Sequence, residues 1–513
     1  MTGHGFITDP LDRWAVERPD QAALVFGDRG TDYATLKSEV DQLAKALIAA
    51  GVARGDRVAM LSSPRPEFWI NLLATTSVGA IWVGLNPKYT DGELDHVITD
   101  AEPRLVFALS IIADEDQSEK LSGLSLRHPS VQDFIVDEWS GASELALTTD
   151  DAALAARRSE IDPSDPCIIV YTSGSTGRPK GAMLTHTSFT MCNEIALERK
   201  GLEDRTIICN LPVNHVGCIG DICGRTMTGG GTIHFQESFN PDAMMRTIES
   251  EHLNTWGGVP TIFHVCANHP TYRTADLTSV DLLAWGGAAM PADLLESLME
   301  VTECRRATMG YGSTELTGGV TYSDLEDSIE NYCTTIGTGD PRQEIRIWHP
   351  DGRLAGPGEA GEIQAKGDFV MAGYWRNPEA TDAAFVDGWF KTGDLAVRRD
   401  DGYLSIVGRL SEMYKSGGYN VYPREVELAL EEYAGIGMAA VVSVPDPIYQ
   451  EVGHAYVMTD GEESVDVDEL LVFARDRLAN YKVPKKITVA VELPMLAIGK
   501  IDKVALHKMA RGE

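Results

Sequence analysis

The segment Tyr171-Thr-Ser-Gly-Ser-Thr-Gly-Arg-Pro-Lys180-Gly181 is the strongest chemical signal in this 513-residue chain. It follows the apolar run Cys167 to Val170 and precedes a helical pattern from about Thr185, so a strand feeds a small, hydroxyl-rich loop. Gly174 and Gly177 permit tight turns. The amides and hydroxyls of Thr172, Ser173, Ser175 and Thr176 can wrap phosphate oxygens, and Lys180 adds a cation. The pattern is not GxxxxGK[ST], because Pro179 precedes Lys180 and Gly181 follows it, which argues against a P-loop kinase. A flexible Gly/Ser surface loop has a similar composition, so the rest of the chain must decide between the two.

Further along, Gly310-Tyr-Gly-Ser-Thr-Glu315 places a carboxylate, a hard oxygen donor suited to Mg²⁺, beside the hydroxyl of Thr314. Tyr311 offers a face on which adenine can stack. In Gly388-Trp-Phe-Lys-Thr-Gly-Asp394 a tight turn can present Asp394, whose two oxygens suit the paired hydroxyls of a ribose, and Arg409 can reinforce the same sugar and phosphate. Lys500 follows Gly499 near the end of the chain, where a lysine could bridge charge developing between a carboxylate and an α-phosphate. Each of these residues also has an ordinary explanation as a turn, a helix start or a solvated surface charge.

Taken together and in this order, the segments resemble the signatures of the adenylate-forming (ANL) superfamily: acyl-CoA synthetases, peptide-synthetase adenylation domains and firefly-type luciferases. The likeness covers nearly the whole chain. It implies an α/β fold with a large N-terminal domain of β-sheets flanked by helices, residues 1–410, and a smaller mobile α+β C-terminal domain, residues 411–513. It also implies the reaction: ATP activates a carboxylic acid as acyl-AMP, and the acyl group then passes to coenzyme A, releasing AMP and pyrophosphate.

The resemblance assigns residues one by one. Lys500, Glu315, Thr172 and Lys180 become catalytic, with Glu315 the Mg²⁺ ligand. The nucleotide site comprises Thr172, Ser173, Gly174, Ser175, Thr176, Gly177, Lys180, Gly287, Ala288, Ala289, Tyr311, Gly312, Ser313, Thr314, Asp394 and Arg409. His215, Val216 and Gly217 match a gate segment beside the acyl carboxylate. With Trp285, Gly286 and Gly310 they form the expected acyl pocket, where the missing side chains of the two glycines leave room for a ring or branched group. Lys415, Ser416, Gly417 and Gly418 are expected to face coenzyme A. The hinge position, Asp or Lys in many relatives, is Ser411 here, and the residues before Gly499 also depart from the family's usual ending.

These groups need a scaffold. Leu36, Val40, Leu43, Ala44 and Leu47 share one helical face, Arg57 to Leu61 reads as a strand, and a helix over Phe68 to Ala74 follows Pro66. Ala80 to Leu85 and Leu105 to Leu109 are further buried strands, and this alternation favours sheets with helices on their faces. Residues 136–166 read as a surface connection, and a fresh helix begins at Pro423.

With 44 basic against 77 acidic side chains, the net charge of -33 disfavours nucleic acid and anionic lipid as partners, so any ATP site must be built locally. The opening shows no signal-peptide pattern and no run is long and apolar enough to span a bilayer, so a cytoplasmic protein is expected. The eight dispersed cysteines show no CxxC pair or zinc spacing and are expected to be reduced core thiols. Expected partners are a small carboxylic acid, ATP and coenzyme A. The oligomeric state, a homodimer among the options, is not legible. Rival readings are an adenylation enzyme loading a separate carrier protein, a luciferase-like oxygenase and a non-catalytic nucleotide-binding protein.

Overall fold

The computed structural model describes residues 5–137, 146–172, 178–459, 465–495 and 501–512. Its central feature is a seven-stranded sheet in the order Gly373–Tyr374, Lys180–Thr185, Pro166–Thr172, Ile81–Leu85, Arg57–Leu61, Leu105–Ala108, Asp133–Val136. Ile81–Leu85 pairs in parallel with Arg57–Leu61 and Pro166–Thr172. These strands are near-continuous apolar runs, as required when helices cover both faces of a parallel sheet. Helix Tyr33–Ala49, capped by Asp32 accepting from the Thr35 amide, buries Leu36, Val40, Leu43, Ala44 and Leu47. Helix Pro66–Ser77 starts at its proline and is buried along its whole length. Complete burial of each large apolar side chain stabilises the fold by roughly 1.5–3 kcal/mol.

The stretch 136–166 is less irregular than expected, because it contains helix Asp151–Ser159. Leu154 is that helix's single buried residue, too little apolar repeat to register as periodicity.

A second sheet runs Thr255–Gly258, Leu282–Gly286, Ala307–Ser313, Gly318–Tyr322, Thr338–Gly339. A third contains Trp389–Arg398 paired antiparallel with Leu404–Arg409. Beyond it, helix Pro423–Glu431 packs with a sheet built around the long antiparallel pair Ile436–Asp446 and Gln450–Thr459. Residues from Tyr414 to Leu506 form their own apolar clusters, separate from those of the larger region. All eight cysteines are free thiols, seven of them buried. Among the described residues no helix is long and apolar enough to cross a membrane.

Candidate active site

Thr172 ends one strand and Lys180 begins the next, and the two residues face each other across the antiparallel pair. This register closes the base of the phosphate-loop candidate, whose tip, Ser173 to Gly177, lies outside the described residues. The Lys180 ammonium sits 4.3 Å from the centroid of the Tyr374 ring. The Tyr374 hydroxyl in turn donates to Glu315 Oε1 at 3.0 Å. Burial and the neighbouring Glu315 carboxylate both push the Tyr374 phenol's pKa up, so it remains a donor. The backbone of Glu315 is fixed as well, its carbonyl accepting from the Met371 amide at 2.8 Å. One aromatic side chain therefore connects the phosphate-loop lysine to the candidate metal carboxylate. Tyr374 was not anticipated from the sequence, where nothing marks a tyrosine 59 residues from Glu315.

Asp394 is only 6% exposed and both its oxygens are held. Tyr311 donates to Oδ2 at 2.7 Å, and Arg409 pairs with Oδ1 from the facing position of the adjacent strand. Gly393, at φ +75°, makes the turn that aims the carboxylate, and the Asp394 amide donates to the Thr392 hydroxyl. Each carboxylate oxygen carries two lone pairs, so both can still accept from ribose hydroxyls. Burial and Asp394 raise the Tyr311 pKa, which keeps its donated proton in place.

Gly287, at φ +84°, turns the chain out of strand Leu282–Gly286, and Gly287, Ala288 and Ala289 are all exposed, leaving an open surface of small residues. Gly312 has a local reason to be glycine: a Cβ there would lie 1.7 Å from the Gly318 carbonyl oxygen, so the adjoining strand requires it. Thr314 is buried, and Ser313 Oγ is buried without a hydrogen-bond partner among the described residues.

His215, Val216 and Gly217 lead into a π-helical segment, Gly217–Gly224, a geometry that recurs at functional sites. The Gly217 amide donates to His215 Nδ1 at 3.0 Å, and Val216 is buried. Gly286 and Gly310 are register partners on neighbouring strands and share one face of the sheet. Trp285 pairs with Met309 on the opposite face, where its indole packs edge-on to Tyr332 in a separate core. The structure thus brings the two glycines together and sets Trp285 apart from them. The space beside Gly310 also differs from the open apolar one expected: a Cβ there would lie 3.0 Å from the ammonium of Lys200.

Lys415 is exposed and Ser416 buried, at the end of strand Tyr414–Ser416. Gly417 and Gly418, at φ +58° and +89°, form the two-residue turn of a hairpin in which Ser416 faces Tyr419. Positive φ at both positions is what such a turn needs, so these glycines have a structural role alongside any contact with coenzyme A. Ser411 is exposed, and its neighbour Glu412 accepts from Lys503 Nζ at 2.5 Å. Lys500 lies outside the described residues. The flanking residues Met495 and Ile501 pair in an antiparallel bridge.

Residues 11–375 match the family model described as AMP-binding enzyme, and residues 425–500 match the AMP-binding enzyme C-terminal domain. The chain belongs to the AMP-binding enzyme family. It is 38% identical over 502 residues to a feruloyl-CoA synthase of Amycolatopsis sp, covering 96% of this chain and 97% of the relative. It is 33% identical over 510 residues to the 3-[(3aS,4S,7aS)-7a-methyl-1,5-dioxo-octahydro-1H-inden-4-yl]propanoyl:CoA ligase of Mycobacterium tuberculosis, covering 97% and 98%. ATP-bound MatB from Rhodopseudomonas palustris superposes with a TM-score of 0.86 at 28% identity over 99% of each chain. Within the AMP-binding enzymes this one is an acyl-CoA synthetase, with a carboxylic acid, ATP and coenzyme A as substrates. Its large N-terminal and small C-terminal domains are those of the adenylate-forming superfamily.

Proposed function

We propose that this acyl-CoA synthetase acts on a ring-bearing carboxylic acid, aromatic or alicyclic, using the residues assembled above for two successive half-reactions. The observation that carries the reading is the Lys180–Tyr374–Glu315 connection, which links the phosphate loop to a carboxylate poised for a metal.

In the first half-reaction a carboxylate oxygen of the acid attacks the α-phosphorus of ATP. A new O–P bond forms, the bond to the β-phosphate breaks, and pyrophosphate leaves. The hydroxyl of Thr172 and the ammonium of Lys180 hold phosphate oxygens, Lys500 neutralises charge between the two reactants, and Asp394 with Arg409 fixes the ribose. This is catalysis by position and electrostatics. Magnesium fits Glu315, since Tyr374 orients one oxygen of a hard carboxylate donor and leaves lone pairs for the ion. Bound there, it would offset phosphate charge.

In the second half-reaction the sulfur of coenzyme A attacks the acyl carbon, the C–O bond to AMP breaks, and AMP leaves. We assign residues 1–410 and 411–513 as two domains that reorient about Ser411, so that Lys415 to Gly418 replaces Lys500 at the site. The separate apolar clusters beyond Tyr414 and the anchoring of Glu412 to Lys503 support a pivot at this point.

Gly286, whose Cβ position has no neighbour within 4 Å but the Gly310 carbonyl oxygen, supports a roomy acyl pocket, and the two ligases named above take ring-bearing acids by their names. Pyrophosphate–ATP exchange across aromatic, alicyclic and short linear acids tests this reading. Exchange driven only by short linear acids contradicts it.

A further inference from the structure

Lys200 ends helix His186–Lys200 and is followed by Gly201 in the left-handed cap conformation. A lysine at this position ordinarily turns its amine to solvent and complements the helix C-terminus. Here the side chain runs inward instead, and the residue is 5% exposed. Its Nζ lies 5.8 Å from the Tyr322 ring centroid and 3.0 Å from the point where a Cβ on Gly310 would sit. Among the described residues no carboxylate, carbonyl or hydroxyl takes a hydrogen bond or ion pair from this amine.

The charges around it do not compensate it. Asp221 and Arg225, one turn apart, pair with each other at 2.5 Å and cancel. Three glycines open the two neighbouring strands onto this group: Gly310 onto Lys200, and Gly318 and Gly319 onto Asp221 and Arg225. Burial first, then Arg225, pushes the Lys200 pKa down to about 7, with Asp221 opposing. An amine this deeply placed and without an acceptor in the described chain is costly to fold whether charged or neutral, and an acceptor entering from outside would offset that cost. The π-helical segment that carries Asp221 begins at Gly217, directly after His215 and Val216.

Resting on the acyl-pocket reading above, we propose that Lys200, reached past Gly310, is the polar end of that pocket and selects acids bearing an oxygen acceptor far from the reacting carboxylate. The acceptor class is a ring hydroxyl, a ring ketone or a second carboxylate. Ring hydrocarbons with no such oxygen leave the ammonium unpaired and are discriminated against, because a site built to hydrogen-bond a substrate oxygen rejects the analogue that lacks it.

The test uses matched pairs of acids differing only in that oxygen: 3-phenylpropanoate against 3-(4-hydroxyphenyl)propanoate, and 3-cyclohexylpropanoate against 3-(4-oxocyclohexyl)propanoate. The full-length enzyme is assayed for AMP formation with MgATP and coenzyme A. The expected result is a kcat/KM at least about tenfold higher for the oxygen-bearing member of at least one pair. In Lys200→Met the ratio falls towards one. In Gly310→Ala, whose new methyl group crowds the amine, the oxygen-bearing acid loses more than its partner, which keeps the test decisive if Lys200→Met does not fold. Equal kcat/KM within both pairs in the wild-type enzyme overturns the role of Lys200 while leaving the ring-acid reading intact. No AMP from any of the four acids refutes the ring-acid reading and this inference with it.

Discussion

Tyr311 and Asp394, 83 residues apart, are joined by a 2.7 Å hydrogen bond in which the phenol donates to Oδ2. The bond fixes an aromatic face beside a carboxylate whose other oxygen is held by Arg409. In the proposed roles, with Tyr311 stacking on adenine and Asp394 holding the ribose, the two contacts would be coupled before any nucleotide arrives. Tyr311→Phe keeps the ring and removes the donor, so the KM for ATP should rise roughly tenfold, about 1.4 kcal/mol, with a smaller change in kcat. Initial-rate kinetics at saturating acid check this.

The Tyr374 bridge predicts a different pattern. Glu315→Gln should lower kcat by about 10²-fold or more and raise the Mg²⁺ concentration needed for half-maximal rate, since a neutral amide is a poorer ligand for a hard cation. Tyr374→Phe should have a smaller effect in the same direction, by loosening the carboxylate it orients. Titrating Mg²⁺ against AMP formation distinguishes the two, and chelation of the metal should stop adenylation in all variants.

Lys500→Ala should abolish adenylation yet spare thioester formation from supplied acyl-adenylate, because the proposed domain reorientation gives the two half-reactions different faces of the C-terminal domain. The two half-reactions can be assayed separately. Equal loss in both would contradict the division of labour.

Acid sensitivity should trace partly to His186. Its ring is buried edge-on to Phe6, its Nδ1 accepts from the Ile7 amide at 3.4 Å, and its Nε2 is buried without a partner among the described residues. Burial lowers its pKa to about 4 from 6.5, so unfolding takes up a proton between those values. The stability contribution is complete above pH 6.5 and is lost as pH falls towards 4, by roughly 3 kcal/mol over that window. Melting temperature measured from pH 7.5 to 4.5 should fall less steeply in His186→Gln than in the wild-type protein.

Much of the scaffold was legible because periodicity and burial coincide. Leu36 to Leu47 read as a helical stripe and forms one, and Arg57 to Leu61 read as a strand and is one. Helix Asp151–Ser159 was missed because only Leu154 is buried. At the site, the motif residues could be named in order, but the groups that connect or confront them could not. Tyr374 carries no local signature, and Lys200 sits in Glu198-Arg199-Lys200, which reads as a solvated helix end. Its burial follows from the tertiary approach of Gly310, which no local pattern reveals. Trp285 shows the converse: alternation along its strand turns it away from the face that Gly286 presents.

The most direct test of the account is to incubate the purified protein with MgATP and pools of ring, branched and linear carboxylic acids, with and without coenzyme A. AMP, pyrophosphate and acyl thioester are then followed by mass spectrometry. The account predicts a thioester of a ring-bearing acid that forms only when coenzyme A is present, with AMP released in equal amount. Acyl-AMP and pyrophosphate without any thioester would contradict it and point to an acceptor other than coenzyme A.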